Sequence, residues 1–379
     1  MDSPSDQEHM VCPASVLSST LALSLLRHAS QPDESFVLSP FSLGSALAIV
    51  HDGAGGPTQN ELTQLLLKGC THEDVVKHYS TLTTTLLGQK GNNGVIVNVA
   101  NRFFVDQKIS LLPDYQKHVE TEYKAEVDNI QFSQKNQAAA TINKFVEDST
   151  KGKIKDMIKA DGISDDAVAM LINAVYFLGN WNLPFNQQNT FNKTFHGAKG
   201  DREEQFMSLN SKYFPANFED PLVTALMMPY KDKSYNFFVL LPKEGVSLEK
   251  ARNEIDGERL QNILNGTSSS YVDILLPRFK IESKLDGNSV LEKLGVTTMF
   301  SDHANLKKIT TAHIKVSKVL HNAVIEVNER GTEAAAATAI EISLKSLNLD
   351  KKTQLTFDHP FIIGITTTNG DILFVGQYA

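Results

Sequence analysis

The sequence contains few cysteines, one tryptophan and no long apolar run. Its 379 residues include two cysteines, Cys12 and Cys70, without a paired-cysteine motif, which is typical of a reducing compartment. No apolar run reaches the ~18 residues needed to cross a bilayer, so we expect no membrane partner. The N-terminal residues are acidic and polar, whereas a secretory signal has a basic start and an apolar core. We therefore expect a cytoplasmic protein, with unconventional export as the alternative.

The common catalytic and cofactor motifs are also missing. The chain has no Gly-x-Ser-x-Gly, His-Glu-x-x-His or Cys-x-x-Cys sequence, and its eleven histidines are scattered without ligand spacing. The glycine-rich stretch 53–58 lacks the Gly-Lys-Ser/Thr of a phosphate-binding loop, so we interpret it as a tight turn with Thr58 as a helix cap. We expect no enzyme activity, no metal and no cofactor.

Composition and charge restrict the kind of protein and the partners that we expect. A hydrophobic content of 41% and a charged content of 21% are those of a globular protein. The formal net charge of −8 disfavours a nucleic-acid partner. At this length the chain could form two domains or one large one, and no repeat or long linker is visible.

Helical periodicity dominates the first part of the chain, and strand-like runs dominate the rest. The helical segments are 14–28, 42–51, 58–67, 73–87, 113–124 and 136–149. The strand-like runs are 95–105, 167–177, 236–241, 271–276, 361–366 and 372–375. The dipeptide Asn369-Gly370 between the last two runs indicates a hairpin. This order, without strict alternation, predicts an α+β fold.

Residues 329–346 have two incompatible local preferences. The alanine-rich part, 333–339, favours a helix or a linker, whereas 338–345 alternate apolar and polar residues like a strand. Extended backwards, the alternation creates one uncharged face, and Gly331 supplies a hinge. The residues on that face are Thr332, Ala334, Ala336, Thr338, Ile340, Ile342 and Leu344. The segment is therefore a candidate conformational switch, with a low-complexity linker as the alternative.

Several separate motifs resemble those of the serpin family, over nearly the full length of the chain. They include Ser-Pro-Phe-Ser at 39–42 and Asn-Ala-Val-Tyr-Phe-Leu-Gly-Asn-Trp at 173–181. The other matching stretches are 98–104, 276–280, 294–296, 321–324 and 358–361. Each motif is weak alone, but their agreement is specific.

The resemblance implies one domain over residues 1–379, with three β-sheets, about nine helices and an exposed reactive-centre loop at about 329–355. Members of the family trap proteases. The protease cleaves the loop as a substrate and forms an acyl-enzyme, and the freed loop then inserts into the large sheet as a new strand. We therefore expect a serine protease as the partner, in a covalent complex.

Counting within the family's loop from Gly331 places the scissile bond at Lys345-Ser346, with Leu344 in the preceding subsite. A lysine suits a specificity pocket with a buried carboxylate, which predicts a trypsin-like target. The alternative bait residues are Glu341, Leu349 and Lys351.

The family's hinge separates inhibitors from non-inhibitory members, which tend to carry bulky, charged or proline residues there. The corresponding residues are Gly331, Thr332, Glu333, Ala334, Ala335, Ala336 and Ala337. The residues on the inserting face are not bulky, charged or proline, so we predict an inhibitor. A carrier, storage protein or chaperone is the alternative, as is an inhibitor of cysteine proteases.

The resemblance also assigns residues to two regions, the shutter and the breach, and it bears on activation by heparin. Ser39, Ser42, Asn173 and His321 would form the hydrogen-bonded shutter beneath the opening sheet, and Trp181 would lie at the breach above it. The stretch 71–93, where some members bind heparin, has only two lysines. We therefore expect no activation by heparin, and we expect a monomer.

Overall fold

The computed structural model describes residues 14–88, 94–332 and 352–379. Within these residues the chain forms nine α-helices, and none is long and apolar enough to span a membrane. They are α1 (Ala14–Ala29), α2 (Pro40–Gly53), α3 (Gly56–Leu66), α4 (His72–Gly88), α5 (Pro113–Tyr123), α6 (Lys135–Ser149), α7 (Leu248–Glu254), α8 (Gly257–Asn265) and α9 (Asn288–Lys293).

The described part of the chain also contains fifteen strands. The first eight are β1 (Phe36–Leu38), β2 (Val95–Asp106), β3 (Glu126–Ile130), β4 (Ala169–Asn180), β5 (Phe191–Gly197), β6 (Gly200–Asn217), β7 (Val223–Pro229) and β8 (Tyr235–Pro242). The others are β9 (Ser268–Pro277), β10 (Phe279–Asp286), β11 (Lys318–Asn328), β12 (Gly331–Thr332), β13 (Thr353–Thr356), β14 (Phe361–Thr367) and β15 (Ile372–Tyr378).

Six strands form a sheet in the order β10-β11-β12-β4-β2-β3. Its central strands, β4 and β11, run parallel and pair directly from Lys318↔Met170 to Val324↔Tyr176. At the other end of the seam they enclose β12, which is antiparallel to both. The seam between β4 and β11 is therefore closed along most of its length and opened by one short strand at one end.

The other nine strands form one continuous hydrogen-bonded ladder, in which β6 is shared. The first part of β6 pairs with β5, its middle and end pair with β9, and its last residues pair with β7. Because β6 is 18 residues long, it joins two of the three sheets implied by the family resemblance. Its ladder with β9 shifts register between Leu209 and Lys212.

Helix α2 is buried along its whole length and contacts strands of both sheets, β4 and β15. Its sequence is almost entirely apolar or small, so it has no polar face to present to water. Ser39 begins the helix as its N-cap, with the hydroxyl accepting from the Ser42 N–H at 3.1 Å, and Pro40 occupies the first turn. The helix thus carries Ser39 and Ser42 to the centre of the molecule.

The α+β fold class is confirmed, and each predicted helix and strand lies within about three residues of an observed element. The predicted order of helices before strands is too simple, because α7, α8 and α9 follow the long strands. The Asn369-Gly370 hairpin joins β14 and β15, with Gly370 at φ +89°.

One smaller expectation is wrong. Thr58 does not cap α3, which begins at Gly56 with Gly55 as its N-cap; the Thr58 hydroxyl instead accepts from the Asn305 N–H at 3.0 Å. Cys70 is disulfide-bonded, and Cys12 lies outside the described residues.

Candidate functional site

Gly331 begins the short strand β12 in a conformation and a space that only glycine suits. Its φ is +151°, and a Cβ added there would lie 1.9 Å from the Gly179 carbonyl oxygen. The close approach follows from the pairing of Gly331 with Asn180 in β4. The residue is therefore a constrained junction within the sheet, in addition to the hinge expected from the sequence.

Thr332 is already part of the sheet interior. Its side chain is fully buried, and its hydroxyl lies 2.7 Å from the Tyr230 hydroxyl. Burial raises the pKa of Tyr230, which keeps that phenol neutral and able to share a hydrogen bond with Thr332. The sheet thus holds this threonine by both its backbone and its side chain.

Trp181, at the end of β4, covers the same end of the seam. Its ring stacks on Tyr230 with the centroids 4.8 Å apart, and its Nε1–H donates to the Asn328 carbonyl at 2.9 Å. The Trp181 backbone N–H donates to the Arg330 carbonyl, also at 2.9 Å. The indole therefore lies beside the point where β12 begins, and Tyr230 connects it to Thr332.

Glu329 anchors the turn from β11 into β12. Its side chain is 8% exposed, and one carboxylate oxygen accepts from the Thr190 hydroxyl at 2.8 Å. The Arg278 guanidinium lies 4.0 Å from the other oxygen, and the Glu329 carbonyl accepts from the Phe185 N–H at 2.8 Å. These contacts fix the point from which β12 starts.

Ser39, Ser42, Asn173 and His321 lie together beneath the middle of the seam, and all four are buried. His321 on β11 is directly opposite Asn173 on β4, and the two side chains are hydrogen-bonded through Nδ1 and Oδ1. The Asn173 amide donates to the Ser42 hydroxyl at 2.6 Å. The seam is thus closed here by a side-chain bond that a new strand would have to break.

The hydrogen-bond partners of His321 determine the tautomer of its ring. Its Nε2 accepts from the Ser39 N–H at 3.0 Å, so the proton of a neutral ring is on Nδ1 and is donated to Asn173. Burial lowers the pKa of His321 to about 3, because removal from solvent disfavours the charged imidazolium. The Ser39 hydroxyl donates to the Leu373 carbonyl at 2.6 Å, which ties the cluster to β15.

The buried neutral imidazole predicts a loss of stability in mild acid. The unfolded state takes up a proton below pH ~6.5, whereas His321 stays neutral in the folded state down to about pH 3. The free energy of unfolding should therefore fall by up to ~1.4 kcal/mol per pH unit for this group between those values. His51, whose pKa burial also lowers to about 3, adds a second contribution.

Urea denaturation between pH 8 and pH 4 measures this slope. His321→Gln keeps one donor and one acceptor but cannot be protonated. The free energy of unfolding of this variant should therefore depend less steeply on pH, because the contribution of one histidine is missing. Equal slopes for His321→Gln and wild type would contradict the assignment.

The remaining site residues expected from the sequence fall outside the described residues. These are Glu333 to Ala337 of the hinge, Leu344, Lys345 and Ser346. The chain resumes at Lys352, whose ammonium lies 2.6 Å from an Asp273 carboxylate oxygen, and it continues into β13. The two described ends of the candidate loop are therefore both attached to sheets.

Sequence reasoning missed several residues that contact the site. Tyr230 supports Thr332 and Trp181, and Asn101 is hydrogen-bonded to the Asn173 amide. Tyr230 precedes a Lys-Asp-Lys turn and carries no distinguishing pattern, so no sequence signal identifies its role. Among the described residues, no group of three or more histidine, cysteine, aspartate or glutamate side chains is arranged to hold a metal ion.

Comparisons with known proteins agree on one family. The family described as "Serpin (serine protease inhibitor)" matches residues 17–379. Iripin-2 of Ixodes ricinus is 32% identical over 354 residues, which cover 92% of this chain and 88% of the relative. The leukocyte elastase inhibitor of Homo sapiens is 31% identical over 370 residues, which cover 95% of this chain and 96% of the relative.

Two solved structures share the whole fold. Serpin48 of the insect Tenebrio molitor, described as a highly specific serpin, has a TM-score of 0.84 and 29% identity, and the match covers 98% of this chain and 99% of that one. Human thyroxine-binding globulin in complex with thyroxine has a TM-score of 0.87 and 25% identity, with 97% and 98% covered.

Proposed function

Because the chain belongs to the serpin family, we propose that it inhibits trypsin-like serine proteases through cleavage of Lys345-Ser346 and insertion of the freed loop between β4 and β11. The protease would remain attached as an acyl-enzyme. The chain itself would catalyse nothing. The family is described as one of serine protease inhibitors, and the specificity for trypsin-like enzymes rests on Lys345.

The position of β12 carries this proposal. Gly331 and Thr332 pair on one side with Asn180 and Gly179 of β4, and on the other side with β11. The next residues in the chain follow directly from a strand that already lies in the seam. Continuation of β12 along the seam would need β4 and β11 to separate, and would need no change of direction at Thr332.

The energetics favour such an insertion. The parallel ladder between β4 and β11, from Lys318 to Val324, would be exchanged for two antiparallel ladders with the new strand. Each net hydrogen bond contributes ~0.5–1.5 kcal/mol, so a strand of ~14 residues gains on the order of 10 kcal/mol. It would also move the cleaved end by ~45 Å. This energy is comparable with the stability of a protease domain, ~5–15 kcal/mol.

A panel of purified proteases tests the proposal. Incubation with trypsin should give an SDS-stable complex at about the summed mass of the two proteins, and mass spectrometry should locate the cut after Lys345. Elastase- and chymotrypsin-like enzymes should form little complex. A chain that is cleaved at Lys345 by trypsin without a stable complex would refute trapping while leaving the cleavage site correct.

A non-inhibitory carrier is the second candidate, and the resemblance to thyroxine-binding globulin, a structure complexed with thyroxine, favours considering it. The hinge separates the two candidates, because its inserting face carries small, uncharged residues. For an inhibitor, cleavage of the loop should raise the midpoint of thermal unfolding strongly, since the new strand is then in place. An unchanged midpoint after cleavage would favour the carrier.

The single tryptophan offers a direct measurement of insertion. Trp181 stacks on Tyr230 and is hydrogen-bonded to the carbonyls on either side of Glu329, so lengthening of β12 should change its emission. We expect the change to develop with the same rate constant as the SDS-stable complex. Trp181→Phe should abolish the signal from the inhibitor. Unchanged emission after complete cleavage would argue against insertion at this end of the sheet.

Location, heparin response and assembly complete the proposal. We propose a monomer in the cytoplasm that heparin does not activate, with unconventional export as the alternative location. The disulfide on Cys70 weighs towards export, because the cytoplasm keeps thiols reduced. Rapid alkylation of cells followed by mass spectrometry distinguishes the two locations. A labelled Cys70 thiol would support the cytoplasm, and a Cys70 disulfide would support export.

A further inference from the structure

A cavity of about 210 Å³ lies between α4, α5, α6 and β2. Three hydrophobic clusters meet there: Tyr123 belongs to the first, Phe41 to the second, and Phe145 packs against the third. Helix α5 ends beside the cavity because Lys124 takes a left-handed conformation, with φ +50°, before β3 begins at Glu126. Lys124 and Glu126 are exposed, so the cavity opens to solvent at this turn. We call it the α5 cavity.

Three polar groups of the residues that line the α5 cavity are buried without a hydrogen-bond partner among the described residues. They are the Thr83 hydroxyl, the Tyr123 hydroxyl and the Nε–H of Arg102. An unpartnered polar group in a protein interior is unfavourable, and such groups are rare in folded proteins. Three of them around one cavity indicate a ligand that supplies the missing partners.

The contacts of Arg102 leave its Nε–H for such a ligand. One terminal nitrogen of the guanidinium pairs with Asp128 at 3.0 Å, and the other pairs with Glu126. The guanidinium carbon lies 4.0 Å from the centre of the Phe145 ring, which holds the group in place. Since arginine carries donors and no acceptor, the missing partner of Nε must be an acceptor.

The charges around the cavity favour an anionic acceptor. Of the charged side chains that line it, Arg102 and Lys124 are cationic and Glu126 is anionic. The Lys124 ammonium donates to the Thr121 carbonyl at 2.8 Å, and it forms no ion pair within the described residues. Burial raises the pKa of Tyr123, so its phenol stays neutral and can donate. A carboxylate has two oxygens with about four lone-pair sites, so it can accept from all three unpartnered groups.

We propose that the α5 cavity binds a small monocarboxylic acid with an apolar body. Its carboxylate would accept from Arg102, Thr83 and Tyr123. Its body would lie against Phe41 and Val99, two of the apolar side chains that line the cavity. The cavity has room for roughly seven water molecules at ~30 Å³ each, which suits a short branched or aromatic acid and excludes a fatty acid or a steroid. Binding requires neither a protease nor cleavage of the loop, so it is independent of the proposed function.

Isothermal titration calorimetry of the intact protein with sodium benzoate and with sodium isovalerate tests the proposal. At least one of the two acids should bind with a stoichiometry of one and a dissociation constant of ~1 mM or lower. Benzamide and isovaleramide have the same shapes without the charge. The amide of a bound acid should bind at least about tenfold more weakly, because hydrogen bonds to a charged group are stronger than those to a neutral one.

Two variants locate the bound acid. Tyr123→Phe and Thr83→Val each remove one hydroxyl and keep the shape of the side chain. Each should weaken binding about tenfold, because one hydrogen bond to the carboxylate is lost. Tyr115→Phe is the matched control on α5, since the Tyr115 hydroxyl donates to a backbone carbonyl at 2.6 Å and this residue does not line the cavity. Thr85→Val, at an exposed position of α4, is the second control. Both controls should keep the wild-type affinity.

Each other outcome would overturn the proposal. If neither acid binds, the cavity holds only water. If an acid and its amide bind equally well, the site does not recognise a carboxylate. Wild-type affinity in both Tyr123→Phe and Thr83→Val would place the acid elsewhere on the protein, and an equal loss of affinity in either control would do the same. Thermal unfolding checks that each variant is folded, and a bound acid should raise the midpoint for wild type.

Discussion

Thr332→Arg should convert the inhibitor into a substrate. Thr332 is fully buried against Tyr230 between β4 and β11, so an arginine here places an unpaired charge in the sheet. An increase of about 3 kcal/mol in the barrier to insertion slows it by ~100-fold. Hydrolysis of the acyl-enzyme is then faster than insertion of the loop, so the protease is released. Titration against trypsin should show a stoichiometry of inhibition far above one and a cleaved band in place of the complex.

A second set of variants separates loop insertion from damage to the native sheet. Because Thr332 is already buried, Thr332→Arg also disturbs the folded protein before cleavage. Ala336→Arg changes a residue that the alternating pattern places on the inserting face. Ala335→Arg changes its neighbour on the opposite face. We expect Ala336→Arg to lose trapping and Ala335→Arg to keep it; an SDS-stable complex with Ala336→Arg would contradict the insertion mechanism.

Lys345→Ala should abolish the trapping of trypsin while the fold stays intact. The lysine would place its ammonium against the buried carboxylate of a trypsin-like pocket, and a pair of this kind is worth 2–5 kcal/mol when one partner is removed. The association rate constant should therefore fall by at least about 30-fold. Stopped-flow inhibition assays measure the rate, and thermal unfolding checks that the variant is folded.

Lys351→Ala is the matched control, since it removes the same charge six positions later in the chain. It should trap trypsin at the wild-type rate. If Lys351→Ala lost trapping and Lys345→Ala kept it, the scissile bond would follow Lys351. A cut that late in the loop should insert poorly.

Much of the site could be inferred from the sequence because its local signals are strong. The periodicity of 42–51 and 95–105 predicted α2 and β2, and the family resemblance of the motifs around Ser39, Asn173 and His321 predicted that these residues form one cluster. The structure brings the three together by hydrogen bonds. Their role as a shutter stays a prediction until insertion is measured.

The sequence could not reveal the partners that come from distant strands. Nothing in the pattern around Tyr230 indicates that its hydroxyl meets Thr332, 102 positions away. Likewise, Glu329 looks like an ordinary polar residue at a turn, yet its side chain is buried between Thr190 and Arg278. Such contacts depend on sheet register, which a single sequence specifies only through the whole fold.

The amino-acid sequence by itself determined the α+β class, the family resemblance and the uncharged face from Thr332 to Leu344, because these depend on local pattern. Only the tertiary structure decided that Gly331 and Thr332 already lie between β4 and β11. That placement needs the Gly179 backbone beside Gly331 and the Tyr230 hydroxyl beside Thr332, with the Trp181 ring stacked on Tyr230. Convergence of this kind comes from packing across strands far apart in sequence, and local propensity does not encode it.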